Sequence, residues 1–129
     1  MTEESTDKTI SKFVFSGKKV DWPIWREKFL ARSKQKGYKN VLLGRENIPD
    51  DSATIDKSTA TGKADAKLRE LNELAYEDMV LFIDGNSDAG RIAFSIVHNG
   101  KTPSLKDGDA GYAWKGLCDK YESKTAPHI

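Results

Sequence analysis

The sequence contains few of the residues that disulfide-bonded, zinc-binding or membrane-spanning proteins require. Its 129 residues include one cysteine and two histidines, too few for an internal disulfide or for a zinc site built on several Cys or His ligands. No apolar run approaches the roughly 20 residues that cross a bilayer. Residues 1–8 are polar and acidic, unlike a secretory signal. We therefore expect a cytoplasmic protein with no membrane contact.

The few candidate catalytic side chains have structural interpretations. His98 is predicted near the C-terminus of a helix, where a cationic imidazole suits the helix dipole. His128 is the next-to-last residue, where we do not expect an ordered site. Cys118 follows Leu117 on a helical stripe and is predicted to act as a small buried hydrophobe, since no local base is present to activate its thiol.

Ligand-binding patterns are also missing. The glycines form neither a Gly-x-Gly-x-x-Gly nor a Gly-Lys-Ser/Thr pattern, so a phosphate-binding loop is not predicted. An acidic run, Glu70, Glu73, Glu77 and Asp78, is predicted to be a solvated helix face rather than a site for a divalent ion. We expect no enzymatic activity, no cofactor, no metal and no small-molecule substrate.

Helical periodicity, in contrast, is plentiful. Asp21 followed by Trp-Pro predicts a capped helix start, and Gly37 predicts the end of that helix. Apolar residues at three- and four-residue spacings predict a short turn and three further helices, which lie at 38–43, 64–83, 89–97 and 110–121. In the last two, the predicted inward residues include Ile92, Ala93, Trp114 and Leu117.

These elements predict an all-α fold, a compact bundle of about five helices spanning residues 13–122. Residues 1–12 are predicted to be a flexible arm and residues 123–129 a tail without pattern. The segment 45–62 is rich in Asp, Ser and Thr and is predicted to be a long polar loop. Phe13 and Phe15 alternate with polar neighbours, so this segment is expected to be extended and to dock its rings on the bundle.

Charge is distributed unevenly although the net charge is only +1. Residues 16–40 hold eight Lys or Arg and two Asp or Glu, a net charge of +6. Residues 41–84 hold five basic and ten acidic residues, a net charge of −5. Two interpretations stay open: these are solvated helix faces, or they attract the opposite regions of neighbouring copies.

Two stretches together resemble a known family. Phe15-Ser-Gly17, Trp22-Pro-Ile-Trp25 and Phe29 resemble the opening of the Gag polyproteins of Copia-type LTR retrotransposons, where such residues lead into the first capsid helix. Asp109-Ala110-Gly-Tyr-Ala-Trp114-Lys-Gly-Leu117-Cys-Asp-Lys-Tyr121 is similar to that family's Ala-x-x-x-Trp-x-x-Leu-x-x-x-Tyr helix. The order and separation of the two stretches also fit, although the long polar stretch 45–62 departs from the family's tighter spacing.

The resemblance implies an N-terminal capsid domain that associates with copies of itself into particles enclosing the element's RNA. A complete Gag of this type continues into a second helical domain and often a Cys/His knuckle that binds RNA. We therefore expect either the N-terminal half of a Gag or a host-adopted fragment, and an indirect connection to RNA through the parent polyprotein. The isolated domain is expected to self-associate weakly.

The motif residues are predicted to hold the helices together, and the outer faces to contact partners. Ile24 lies off the Trp25/Phe29 stripe and is a candidate contact. The other candidates are charged residues of the basic first helix and the acidic third helix, namely Lys28, Arg32, Lys36, Glu70, Glu73 and Glu77.

Two alternatives remain. The first is an adaptor that binds a peptide in an apolar groove lined by Phe13, Phe15 or Tyr38. The second is a helical RNA-binding domain, in which RNA would protect Lys28, Arg32 and Lys36 and binding would depend steeply on salt.

Overall fold

A computed structural model describes residues 13–122, so the predicted arm, the predicted tail and His128 lie outside the described residues. Within this range there are five α-helices and no strand, as predicted. They are α1 (Trp22–Lys36), α2 (Lys39–Leu42), α3 (Ala60–Leu81), α4 (Asp88–His98) and α5 (Ala110–Tyr121). A 3₁₀ turn over Lys19–Asp21 leads directly into α1. None of these helices is long and apolar enough to cross a bilayer.

The ends of α1 follow the sequence signals with one exception. Pro23 occupies the first turn, where its missing N–H costs nothing. Gly37 ends the helix in the left-handed conformation, with φ +85°. The predicted cap by the Asp21 side chain is wrong. Its carboxylate instead accepts a hydrogen bond from Ser16 Oγ at 2.6 Å.

The polar loop is shorter than predicted because α3 begins at Ala60. Thr59 caps this start, since its Oγ1 accepts a hydrogen bond from the N–H of Gly62 at 2.9 Å. The loop is also tied to the bundle. Arg69 donates to the carbonyls of Asp50 and Ala53, and Asp51 donates its N–H to the carbonyl of Ser104 at 2.8 Å.

The helices pack around α5, which contacts α2, α3 and α4 and meets the rings of α1 through Trp114. The predicted inward stripes hold for most residues: Ala93, Val97, Ala113 and Leu117 are buried. Ile92 is a correction, because its side chain is 53% exposed. Ala64, whose place at the start of the periodic segment 64–83 predicts an inward side chain, is also exposed.

Two side chains of α3 fix the neighbouring helices. Asn72 accepts a hydrogen bond from Ala110 N–H at 2.8 Å and donates to the carbonyl of Gly108 at 2.9 Å. Tyr76 donates its hydroxyl to the carbonyl of Val97 at 2.7 Å. Each bond satisfies a buried polar group, which would otherwise oppose folding. The start of α5 and the end of α4 are therefore held against one helix.

Candidate interaction surfaces

The first motif stretch lies against the chain between α3 and α4. Phe15 donates its N–H to the carbonyl of Phe82 at 2.8 Å and accepts the N–H of Asp84 at 2.9 Å. These two hydrogen bonds form one isolated parallel β-bridge between Phe15 and Ile83. The predicted docking of Phe13 and Phe15 on the bundle is confirmed, since both rings are buried, and the strand-like pairing is confined to Phe15.

Gly17 is needed at the end of this segment for two reasons. Its φ is +83°, which side-chain-bearing residues rarely adopt. A Cβ built there would lie 2.0 Å from the carbonyl oxygen of Ala89, at the start of α4. The Phe-x-Gly stretch is therefore a packing element that lets the backbone approach α4.

The aromatic motif residues form one interior cluster. Trp22, Trp25 and Trp114 are each no more than 4% exposed, and their ring centroids lie 5.6–6.1 Å apart. Phe29 stacks on Trp114 at 5.5 Å, and Tyr121 stacks on Trp22 at 5.6 Å. Burial of each such side chain contributes about 1.5–3 kcal/mol.

The remaining motif residues share this interior. Ala110 and Leu117 are completely buried, and Phe15 is 1% exposed. Every motif residue thus lies in the core or packs against it, and the motif surface is unavailable to a partner. Phe13, Phe15 and Tyr38, the rings predicted to line a peptide-binding groove, are buried in the same cluster. A small depression of about 180 Å³ lies beside Phe13 and Phe15, next to Ile24 and Lys28.

The candidate contact residues lie on the outside, with one exception. Ile24 is 66% exposed, and Lys28, Lys36, Glu73 and Glu77 are exposed. Glu70 is exposed and lies 3.4 Å from Lys67 in an ion pair within α3. Such a pair at the surface contributes little to stability.

Arg32 is the exception, because its side chain contacts other residues of the same molecule. Its Nε donates to Asp78 Oδ2 at 2.9 Å, and its guanidinium lies 4.7 Å from the ring centroid of Phe82. Tyr38 donates its hydroxyl to the same carboxylate oxygen at 2.6 Å. Burial, together with the hydrogen bond to Asp78 and the charge of that carboxylate, raises the pKa of Tyr38.

The prediction that Asp78 belongs to a solvated acidic face is therefore wrong. It is 3% exposed and joins α1 to α3 through Arg32. One signal in the sequence points to this position. Asp78 lies three residues after Ala75 and four before Phe82, so helical spacing places it on the face that these two buried residues share.

An apolar groove lies between α3 and α4, with a volume of about 440 Å³, and no pattern in the sequence predicted it. Leu81 and Phe94, which are 56% and 36% exposed, line it together with Tyr76 and Val80. Its charged lining residues are Glu77, His98, Lys101 and Asp107. A second exposed apolar position lies at the start of α1, where Val20 is 79% exposed one helical turn before Ile24.

The histidine and cysteine occupy the predicted positions. His98 is the last residue of α4 and is exposed. Cys118 is a free, partly buried thiol that packs against the core. Burial and the neighbouring Glu122 carboxylate raise the pKa of Cys118 to about 12. A thiol with this pKa is protonated at neutral pH and is a poor nucleophile.

The chain matches no protein-family model, no curated protein and no solved structure.

Proposed function

We propose that this chain is a structural domain of the capsid type, which associates with copies of itself. On the resemblance to Copia-type Gag polyproteins, its role is to build cytoplasmic virus-like particles that package the RNA of a retrotransposon. RNA then reaches the particle through the parent polyprotein rather than through this domain.

One observation supports self-association above all. The aromatic residues of the family motif are buried, while large apolar side chains, besides Ile92 and Tyr112, remain exposed in pairs at two places. Val20 and Ile24 lie at the start of α1, and Leu81 and Phe94 lie on α3 and α4. Exposed apolar residues are ordinary when scattered singly, but grouped ones mark interaction surfaces.

The charges support the same proposal. The exposed Lys28 and Lys36 lie on α1, and the exposed Glu73 and Glu77 lie on α3. Within residues 13–122, none of these four forms an ion pair with another described residue. They are therefore available to a neighbouring copy. Single contacts of this kind are weak, and a symmetric lattice makes the assembly stable by repeating them.

Sedimentation velocity tests the charge contribution. Raising the salt concentration is expected to weaken association, because it screens exposed charges. Glu77→Lys, alone or combined with Glu73→Lys, is expected to weaken association at low salt. Glu46→Lys is the matched control, because it makes the same charge change at an exposed loop position outside α3. Sedimentation that responds to neither salt nor charge reversal contradicts pairing between the basic and acidic helices.

Electron microscopy of the concentrated protein tests the particle-building role. The proposal predicts curved or closed assemblies that dissolve on dilution. A field of separate monomers at every concentration argues against it.

The groove between α3 and α4 favours a second candidate, an adaptor that binds a peptide of a partner protein. Its apolar lining and open position suit an amphipathic segment. The two candidates differ in what fills the groove, and titration with the domain itself or with a panel of amphipathic peptides distinguishes them.

An RNA-binding role rests on the exposed lysines of α1. Protection of Lys28 and Lys36 on addition of RNA would support it. Arg32 is not informative in such a test, because Asp78 already occupies its guanidinium.

A further inference from the structure

Two exposed apolar surfaces lie next to charges of opposite sign. The first, which we call the α1 edge, consists of Val20 and Ile24 flanked by Lys19 and Lys28. The 3₁₀ turn continues directly into α1, so Val20, Ile24 and Lys28 follow one another at one-turn spacing and lie on one face. Val20 and Ile24 are 79% and 66% exposed, and Ile24 and Lys28 also line a depression of about 180 Å³ beside Phe13 and Phe15.

The second surface is a depression, which we call the α3/α4 groove. Tyr76, Val80 and Leu81 line it from α3, and Phe94 lines it from α4, around a volume of about 440 Å³. Glu77 borders the groove, and Glu73 lies one helical turn before it on α3. The surface next to the apolar lining is therefore acidic along α3.

We propose that the α3/α4 groove of one copy receives the α1 edge of a second copy. This inference rests on the proposed function and names the surfaces through which it acts. Val20 and Ile24 enter the apolar lining, which removes four exposed apolar side chains from water in one contact. Lys19 and Lys28 then lie beside Glu73 and Glu77.

Charge complementarity identifies the second copy as the occupant of the groove. The edge belongs to the segment 16–40, with a net charge of +6, and the α3 wall belongs to the segment 41–84, with a net charge of −5. Each surface also holds one charge of the other sign, because Asp21 lies with Ile24 and Lys28 at the edge and Lys101 lies with Glu77 and Asp107 at the groove. Opposite potentials fix the orientation of such a contact and favour it over pairing of two identical surfaces.

The edge and the groove share no residue, so the contact is of the head-to-tail kind. Each copy offers its edge to one neighbour and its groove to another, and such contacts generate rings or extended arrays. Such a contact can extend beyond two copies, whereas a single twofold contact stops at a dimer.

A mixing experiment tests the pairing at low salt. Ile24→Asp disrupts the edge and leaves the groove intact, whereas Leu81→Asp disrupts the groove and leaves the edge intact. Both positions are more than half exposed, so we expect both variants to fold, and circular dichroism melting checks this. Each variant alone is expected to associate on the order of tenfold or more weaker than the wild type, because an aspartate in an apolar contact must lose its hydration.

The mixture of the two variants is the decisive sample. The intact groove of Ile24→Asp and the intact edge of Leu81→Asp form one contact, and no second contact can extend it. Sedimentation velocity is therefore expected to show a 1:1 dimer that does not grow, with an affinity like that of the wild-type contact. Tyr112→Asp is the control, because Tyr112 is 59% exposed on α5 and belongs to neither surface. This variant is expected to associate as the wild type does.

Three outcomes overturn the inference. If the wild type associates and the mixture does not, the edge and the groove are not partners, although the proposed function stands. If Ile24→Asp associates normally while Leu81→Asp does not, the groove receives another surface or a peptide. If the wild type is monomeric at every concentration, the proposed function fails together with this inference.

Discussion

The buried carboxylate of Asp78 predicts an unequal response to two substitutions. Asp78→Ala removes the acceptor of both Arg32 and Tyr38, leaving a hydroxyl and a guanidinium without a partner. Removing one partner of a buried ion pair costs about 3–5 kcal/mol. The side chain of Arg32 is 27% exposed and regains some contact with water, so we expect a loss near the lower end, about 3 kcal/mol.

Tyr38→Phe affects the same network less. It removes one hydrogen bond to a charged acceptor, and Asp78 keeps the Arg32 guanidinium. We expect this variant to lose about 1.5 kcal/mol, the lower end for a hydrogen bond to a charged group. The ring of Tyr38 remains in the core in either variant, so the difference between them reports the polar network and not the aromatic packing.

Urea unfolding followed by circular dichroism measures both losses. Glu77→Ala is the matched control, because it removes a neighbouring but exposed carboxylate and is expected to change stability by less than about 0.5 kcal/mol. In a double-mutant cycle, Arg32→Ala combined with Asp78→Ala should cost clearly less than the two losses added together. If Asp78→Ala costs less than Tyr38→Phe, or no more than Glu77→Ala, the Asp78 carboxylate is not the shared acceptor that stabilises this network.

Three further predictions concern Gly17, the reactivity of Cys118, and the loss of stability at high pH. Gly17→Ala is expected to lower the free energy of unfolding in urea by about 3 kcal/mol, and Gly37→Ala by about 1 kcal/mol. Both glycines have positive φ, but only Gly17 has no room for a Cβ. Equal losses would show that the contact with Ala89 is unimportant. Cys118 is expected to react with iodoacetamide much more slowly in the native protein than in urea, because its thiol is half-buried and its pKa is raised to about 12; equal rates would contradict this burial. The melting temperature is expected to fall as pH rises above about 9, the ordinary pKa of a thiol. The unfolded chain then releases the Cys118 and tyrosine protons that the folded chain retains. Cys118→Ala should make this fall shallower, and an unchanged slope would show that groups other than Cys118 cause the fall.

Most of the helices could be predicted because their end residues and their apolar spacing are visible within short stretches of the sequence. Pro23 and Gly37 define the ends of α1, and the apolar spacing of α5 places Trp114, Leu117 and Tyr121 on one face. Thr59 was missed as the cap of α3 because no acidic residue follows it at the third helical position to complete a capping box.

The surfaces were harder to predict, because they depend on how helices are placed relative to one another. Ile24 was identified as exposed from its angle on a single helix. The α3/α4 groove was not predicted, since it exists only where α4 leaves Val80 and Leu81 uncovered. Arg32 and Asp78 were assigned to opposite solvated faces, and only the packing of α1 on α3 makes them an ion pair.

The central claim is that the aromatic residues close the interior while the outer faces bind further copies of the chain. Sedimentation equilibrium of the wild-type protein at low salt, from micromolar to millimolar concentration, tests it most directly. The claim predicts an average mass that rises steadily above the 14.4 kDa of one chain as the concentration increases. A mass that stays at 14.4 kDa over the whole range contradicts it.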